Sequence, residues 1–591
     1  MDTSPTTVDA VHSGSSHTDT WKSREVVVRP MRRRRLALRL VSLAALACMA
    51  LASLHADQIQ TRATRTHEHP SGPGWSWSTR GADILTPAGT PFVIAGVSWY
   101  GPETPQSVFY GLDTQDYTVI LDQVKAYQFN TLRIPYSNEG WETNAIPAPK
   151  LVRACPACQG LRWRDILALI INYAGAIGLH VILDDHRSDA GSSSATNGLW
   201  YTAGTGTGAD HAYTERDWID DWLDVQRWVH GQRASRGGPD RVTVNDSAAD
   251  GFPTVMGYDL RNEPHTPGDA GYMDGATWGT GDGINPYLNP NPNPFAPACV
   301  ATSTCHDWRL AAERAGDTIL ADAAQHRWAA PLIFVQGISN YPSANGTPLK
   351  GPYDLFRWGG QLEGVNGNAS NPGAPIVLNA GGDSTRLGPA VGNRLVYVTR
   401  DYGPTLSPTG WFNASTCYRL GCAPKGSQAG LAELWCQRWA YVSLPPGRYG
   451  TCTGGIQPHS WTAATWKNTG SIPYTQAPMW IGEFGTGNGA QDLTSQYRGS
   501  QGQWFTDLIN FIQSSYTLTA SNDSGLPVHS LNWTYWAINS DDDYALLGAQ
   551  FGGLASPSKQ YSFLCFIMRS TPPSARPPRP CGVTGLLPAP H

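Results

Sequence analysis

Residues Met256 to His265 read MGYDLRNEPH, an apolar run that ends in Asn262 and Glu263 and is stopped by Pro264. A run of this kind reads as a buried strand leading into a turn, because proline disfavours helix in the residue before it. A second run of the same kind, MWIGEFG from Met479 to Gly485, carries Glu483 near its end, 220 residues beyond Glu263. Six more such runs bring the number to eight. They are FVIAGVSWYG from Phe92, NTLRIPYS from Asn130, HVILDDHR from His180, PLIFVQGISN from Pro331, RLVYVTRDYG from Arg394 and HSLNWTYWAINSDD from His529. Helical periodicity fills the gaps at Thr118–Phe129, Asp165–Gly178, Trp218–Val229, His306–Gln325 and Gln501–Ser514. Strands rich in Val, Ile and Leu alternating with amphipathic helices predict an α/β protein with a parallel sheet, and eight such units predict a closed (β/α)8 TIM barrel. A doubly wound open sheet is the alternative, but no glycine-rich phosphate loop follows the first strand. Long Gly/Pro/Asn-rich segments at Ser188–Ala212, Thr266–Cys299 and Pro404–Thr475 are expected as loops on the face where the polar strand ends emerge.

A chain of 591 residues can hold several domains, yet one barrel with long insertions absorbs most of that length. The net charge of -5 with 15% charged residues excludes a phosphate-binding surface, which needs clustered Lys and Arg, so no nucleic-acid partner is expected. The 23 Trp and 24 Tyr suit stacking on the apolar faces of sugar rings, although packing accounts for most of them. Near the start, MRRRR (Met31–Arg35) precedes the uncharged run LVSLAALACMALASL from Leu40 to Leu54, a basic region and an apolar core of the secretion-signal type. The expected organisation is an N-terminal extension with a secretion signal or signal anchor over 1–56, a linker over 57–74, a catalytic barrel over 75–568 and a disordered proline-rich tail over 569–591. Cleavage and secretion are expected; an uncleaved anchor tethering the chain to a membrane is the alternative.

Removing Cys48 with the signal leaves ten cysteines, an even number for a chain maturing in an oxidising compartment, so disulfides are expected. Cys155-Pro-Ala-Cys158 also has the spacing of half a zinc site or a redox pair, but no second CxxC or HxxxH accompanies it, and no metal is expected. Cys299 and Cys305 read as a local pair, Cys417, Cys422, Cys436 and Cys452 as staples of one insertion, and Cys581 as a partner open to Cys565. Sequons at Asn245, Asn345, Asn368, Asn413 and Asn522 lie in polar turns, whereas Asn532 falls on a strand expected to be buried.

Two carboxylates on separate strand ends are what glycoside hydrolysis needs, one as acid/base and one as nucleophile or base. The order Arg133, His186, Asn262-Glu263, Tyr402, Glu483 and Trp536, one group per strand end, resembles glycoside hydrolase family 5 over roughly Trp75 to Ile567. LRNEPH, AAERAG (Ala311–Gly316) and WGGQL (Trp358–Leu362) are similar to the family's endo-β-1,4-glucanases. The resemblance implies Glu263 as acid/base, Glu483 as nucleophile, Arg133 and Tyr402 as supports of the nucleophile, and Asn262 as holder of the sugar 2-hydroxyl. It further implies His186 as a site residue, Trp536 as a platform under the sugar, and a retaining double displacement with no cofactor. Trp99 and Trp358 are further platform candidates, with packing as the alternative. The implied substrate is cellulose or a related β-glucan, with a β-mannanase, a β-1,3-glucanase or a carbohydrate-binding pseudo-enzyme as other readings. A monomer without a protein partner is expected. The sequence departs from the family pattern at Arg400, where a histidine usually stands two residues before the supporting tyrosine. Arginine is cationic at any working pH, so a lowered acid/base pKa, a shifted pH optimum or altered substrate binding is expected there. The acidic run Asp541–Asp543 reads as solvated loop.

Overall fold

The computed structural model describes residues 75–202, 213–265, 275–279, 306–339, 358–368, 371–372, 375–378, 393–406, 431–443, 477–495, 499–517, 531–559 and 563–564. The chain divides into two units, residues 1–69 and 70–591, and all described residues belong to the second. The signal-like run, the Cys299–Cys305 pair and the tail lie outside the described residues.

Eight strands form a closed ring: β1 Ala95–Ser98, β2 Thr131–Ser137, β3 His180–Arg187, β4 Val255–Asp259, β5 Leu332–Gln336, β6 Leu395–Arg400, β7 Met479–Phe484 and β8 Asn532–Tyr535. Every neighbouring pair is parallel and follows chain order, and the ring closes where Trp533, Thr534 and Tyr535 pair with Ala95, Gly96 and Val97. All eight expected strands are present. Almost every strand residue is buried, as parallel strands covered on both faces require. Asn532 is indeed buried; its side chain accepts from Ile94 N at 2.8 Å and donates to Met479 O at 3.1 Å, lacing the starts of β1, β7 and β8.

The main helices are α1 Tyr117–Ala126, α2 Trp163–Ala176, α3 Glu215–Val229, α4 Trp308–His326, α5 Leu431–Arg438 and α6 Gln501–Thr517. Helix α1 stops short of the expected Phe129, because Gln128 turns left-handed (φ 71°) and the chain dives to bury Phe129. Helix α3 begins three residues earlier than expected, at a capping box in which Thr214 and Asp217 satisfy each other's backbone donors. That cap is polar and leaves no trace in apolar periodicity. Helix α5 corrects part of the segment Pro404–Thr475, which was expected as loop throughout.

A separate apolar cluster fills the barrel interior: Ile94, Ile182, Met256, Leu332, Phe334, Val396, Val398 and Trp480. Trp77 and Ile84, from an antiparallel sheet of Ser78–Arg80, Asp83–Leu85 and Pro91–Phe92, join it from the side where the strands begin. There Trp77 donates to Pro253 O at 3.2 Å, just ahead of β4. With its entry side plugged, the barrel leaves the C-terminal strand ends as the rim for a site. A disulfide joins Cys155 and Cys158, both buried, and Cys436 is disulfide-bonded as well.

Candidate active site

Arg133, on β2, is the central cation of the rim. Its guanidinium lies 6.0 Å from the Trp480 ring and is fully buried. It donates to Glu483 Oε2 (2.9 Å), Asn262 Oδ1 (2.9 Å) and Asp259 Oδ2 (3.1 Å), and lies 2.8 Å from Asp184 Oδ2. These groups come from β3, β4, the turn after β4, and β7, so one residue ties four parts of the ring. Burial pushes the Asp184 and Asp259 carboxyls up despite the pull of Arg133.

Glu483 ends β7 with both oxygens engaged. Tyr402 Oη donates to Oε1 at 2.6 Å, while Arg133 and Arg400 both hold Oε2. Three donors on two oxygens fix the orientation of this carboxylate. Glu263 lies in the turn after β4, with a left-handed backbone (φ 48°) fixed from outside: its N–H donates to Gln336 Oε1 at 2.8 Å. Gly359 packs against this turn, and a side chain there would meet Gln336 Oε1 at 2.7 Å and Glu263 Cα at 3.0 Å. The root of the turn is pinned by α3, whose Trp218 and Trp222 both donate to Leu260 O, at 3.1 and 3.2 Å.

Arg400, at the end of β6, bridges the pair. Its Nη1 contacts Glu263 Oε1 (3.0 Å) and Glu483 Oε2, its Nη2 contacts Asn262 Oδ1, and its Nε donates to Gln336 Oε1 at 3.1 Å. One nitrogen touching both carboxylates limits the separation of their nearest oxygens to two hydrogen-bond lengths, roughly 6 Å. Ser194 Oγ donates to the other oxygen of Glu263 and accepts from Asn262 Nδ2 at 3.1 Å. Burial pushes the Glu263 carboxyl up, but the Arg400 guanidinium and the Ser194 hydroxyl outweigh it, and the group sits below the usual glutamate range.

His186 bonds through Nδ1 to Asp184 Oδ2 (2.7 Å) and through Nε2 to Asn262 Nδ2 (3.1 Å). An amide donor at Nε2 assigns the ring proton to Nδ1. Burial and Arg133 hold its pKa well below the ordinary value, so the ring is neutral. Trp536 stacks on Tyr100 (5.3 Å, 9°) and lies 5.8 Å from the His186 ring. Its Nε1 donates to Asp542 at 3.1 Å. This corrects the expectation that Asp541–Asp543 is merely solvated, since half-buried Asp542 orients the indole. Trp358 is 40% exposed and stacks on His265 (3.8 Å, 5°), whose Nδ1 bonds Glu263 O at 2.7 Å. Trp99 is fully buried against Phe109 and donates to Tyr110 O, which makes it core and not platform.

Arg133, His186, Asn262, Glu263, Arg400, Tyr402 and Glu483 thus meet on one rim. Sequence reading missed Ser194, Gln336, Asp184 and Asp259. The last three are polar residues at or near strand ends, the same signal that marked Glu483, whereas Ser194 is buried in a Gly/Ser run. Among the described residues no group of three or more His, Cys, Asp or Glu is arranged to hold a metal ion.

A closed parallel barrel bearing two donor-held carboxylates on the rim defines the class of barrel glycosidases. The sequence model described as Cellulase (glycosyl hydrolase family 5) matches residues 85–542, and the chain belongs to that family. It is an endo-acting glycoside hydrolase. An endoglucanase of Paenibacillus polymyxa is 29% identical over 78% of this chain and 79% of its own length. The major extracellular endoglucanase of Xanthomonas campestris is 29% identical over 58% of this chain and 53% of its own. Among solved structures, an endocellulase from Pyrococcus horikoshii in complex with cellotetraose has a TM-score of 0.53 at 23% identity, covering 82% of this chain and 97% of that one. At that identity it speaks for the fold.

Proposed function

We propose that the protein is a secreted, retaining endo-β-1,4-glucanase acting on cellulose or a related β-glucan, with Glu263 as acid/base and Glu483 as nucleophile. The observation that carries this is the bridge of one Arg400 nitrogen between the two carboxylates. It keeps them nearer the ~5 Å separation of retaining enzymes than the ~6.5–9.5 Å that an interposed water needs. The similarity to endoglucanases supports the substrate class.

In the first step Glu483 attacks the anomeric carbon while the glycosidic C–O bond breaks, and the leaving oxygen takes a proton from Glu263. In the second, water gives its proton to Glu263 as its oxygen displaces Glu483. Asn262 is placed to hold the 2-hydroxyl as the oxocarbenium ion develops, and Trp536 offers a flat face to the sugar. We place the signal or anchor in 1–56, a linker in 57–74, the catalytic unit in 75–568 and a tail in 569–591, in a monomeric protein. No helix of the described residues is long and apolar enough to cross a membrane.

Reducing ends released from carboxymethyl cellulose, mannan and laminarin test the substrate; release from mannan or laminarin alone would move the reading to a β-mannanase or β-1,3-glucanase. A 2-fluoro cellobioside should label Glu483. Glu483→Gln should abolish turnover; sugar binding without turnover in the wild-type protein, and no further loss in this variant, would mean a carbohydrate-binding pseudo-enzyme.

A further inference from the structure

The two oxygens of Glu263 are both occupied by donors in the unliganded protein, Oε1 by Arg400 and Oε2 by Ser194. A carboxyl in that setting accepts a hydrogen bond on each oxygen, and both donors favour its ionised form over the protonated form that gives up a proton. Arg400 also rests on Glu483 Oε2, and its Nε and Nη2 are spent on Gln336 and Asn262, so the guanidinium is clamped between the carboxylates and not aimed at solvent.

We propose that Arg400 and Ser194 act as positioning residues that set the balance between the two half-reactions, favouring release of the glycosyl intermediate over acid-assisted formation of it. This rests on the roles proposed above for Glu263 and Glu483. Forming the intermediate makes a bond between Glu483 and the anomeric carbon and breaks the glycosidic bond, whose electron pair goes to the leaving oxygen. That oxygen needs the proton of Glu263, and a fixed cation with a hydroxyl donor holds Glu263 without it. Arg400 also draws charge from Glu483, weakening it as nucleophile. Breaking down the intermediate reverses both demands: water loses a proton to an ionised Glu263, and Glu483 departs as a carboxylate that Arg400 stabilises. Both contacts of Arg400 therefore push the same way. Glycosides whose leaving groups depart without a proton escape the handicap.

The groups facing Glu263 are Arg400 from β6, Tyr402 from the segment after it, His186 from β3, Ser194 from the loop after β3 and His265 from its own turn, with Glu483 from β7 across the Arg400 bridge. His186 and His265 are both depressed by burial, which leaves Arg400 as the cation in contact with this carboxyl at neutral pH. Arg400 cannot discharge in the working range, so its own contribution to the bias does not titrate away.

The test compares kcat/KM, which reports formation of the intermediate, for 2,4-dinitrophenyl and phenyl β-cellobioside between pH 4 and 9. In the wild-type protein the phenyl substrate should lose rate as pH rises while the dinitrophenyl substrate holds level. In Arg400→His and in Ser194→Ala the phenyl rate should gain on the dinitrophenyl rate by roughly 10-fold or more, a part of the ~10²–10⁴ that acid assistance provides. Coincident pH profiles for the two wild-type substrates, or an unchanged rate ratio in the variants, overturn the proposal. If Arg400→His does not fold, Ser194→Ala and the wild-type profiles decide. Hydrolysis of neither cellobioside by the wild-type protein sinks the glucanase reading itself, an outcome separate from the other two.

Discussion

Gln336 shows how much one neutral side chain carries at this site. Its amide nitrogen donates to both oxygens of Asp259 (2.9 and 2.8 Å), while its oxygen accepts from Glu263 N and Arg400 Nε. Replacing it with Leu takes the partner from a buried carboxylate oxygen, Asp259 Oδ1, from a backbone donor and from a guanidinium nitrogen at once, each worth about 1–3 kcal/mol. Gln336→Leu should therefore unfold at clearly lower denaturant, with a loss of roughly 3 kcal/mol or more, and should lower kcat before it changes KM. Removing Arg133 takes a buried cation away from Asp184, Asp259 and Glu483 together; Arg133→Met should cost about 3–5 kcal/mol by the same measurement. Legibility at this scale followed chemistry. Arg133, Asn262, Tyr402 and the two glutamates stand in motifs where a charged or polar residue interrupts an apolar run, and the interruption is visible. Ser194 contacts Glu263 from a stretch of glycine and serine that any loop could contain, and Trp99 looks like a platform in sequence because an indole buried in the core and one facing a sugar are spelled alike.

Among the elements, α3 has the least obvious part in the site. Two of its tryptophans, one turn apart, donate to the same carbonyl at the end of β4, and Trp200 and Trp308 pack against Trp218 and each other. Phenylalanine keeps the ring and loses the donor. Trp218→Phe or Trp222→Phe alone leaves Leu260 O one partner and should be mild; the double variant orphans it and should cost a further ~1–3 kcal/mol, read as non-additivity in a denaturation cycle. The turn that carries Glu263 should respond as steeply to Gly359→Ala. The left-handed backbone at Gly359 (φ 68°) and the close approach to Gln336 and Glu263 leave no room for a methyl group. We expect at least 10-fold lower kcat/KM on β-glucan with the fold retained by circular dichroism. All eight strands were legible because each lies in a short, largely apolar or aromatic run with polar residues at or near its end. Helix α5 was not, since it stands inside a long segment whose glycine and proline content reads as loop.

For the whole molecule, the buried acids set a pH dependence whose sign follows from burial. Burial pushes Asp185 and Asp246 up to about 7 and Glu103 up to about 8. A carboxyl that holds its proton more firmly folded than unfolded contributes stability that is complete below the ordinary carboxylate range and lost as pH rises through the folded value. Glu263, held low, contributes in the opposite sense, at pH below that range. Melting temperature should therefore fall between pH 5 and 8, and Asp246→Asn should flatten part of that fall. The closed ring was legible from the count of eight alternating units, whereas the plug at its entry side was not, because short strands with mixed burial carry no periodicity long enough to read.

Closure of that ring has a consequence for how the protein is made. Asn532 secures the start of β1 through Ile94, across 438 residues of chain. At about 5–20 residues per second, a ribosome needs roughly 20–90 s to travel between the two. Throughout that interval β1 has one neighbour and an open edge, and contacts so distant in sequence form slowly even once the chain is complete. The nascent barrel is therefore an incomplete arc for most of its synthesis, exposing a strand edge that chaperones or other copies of the chain can bind before β8 arrives to cover it.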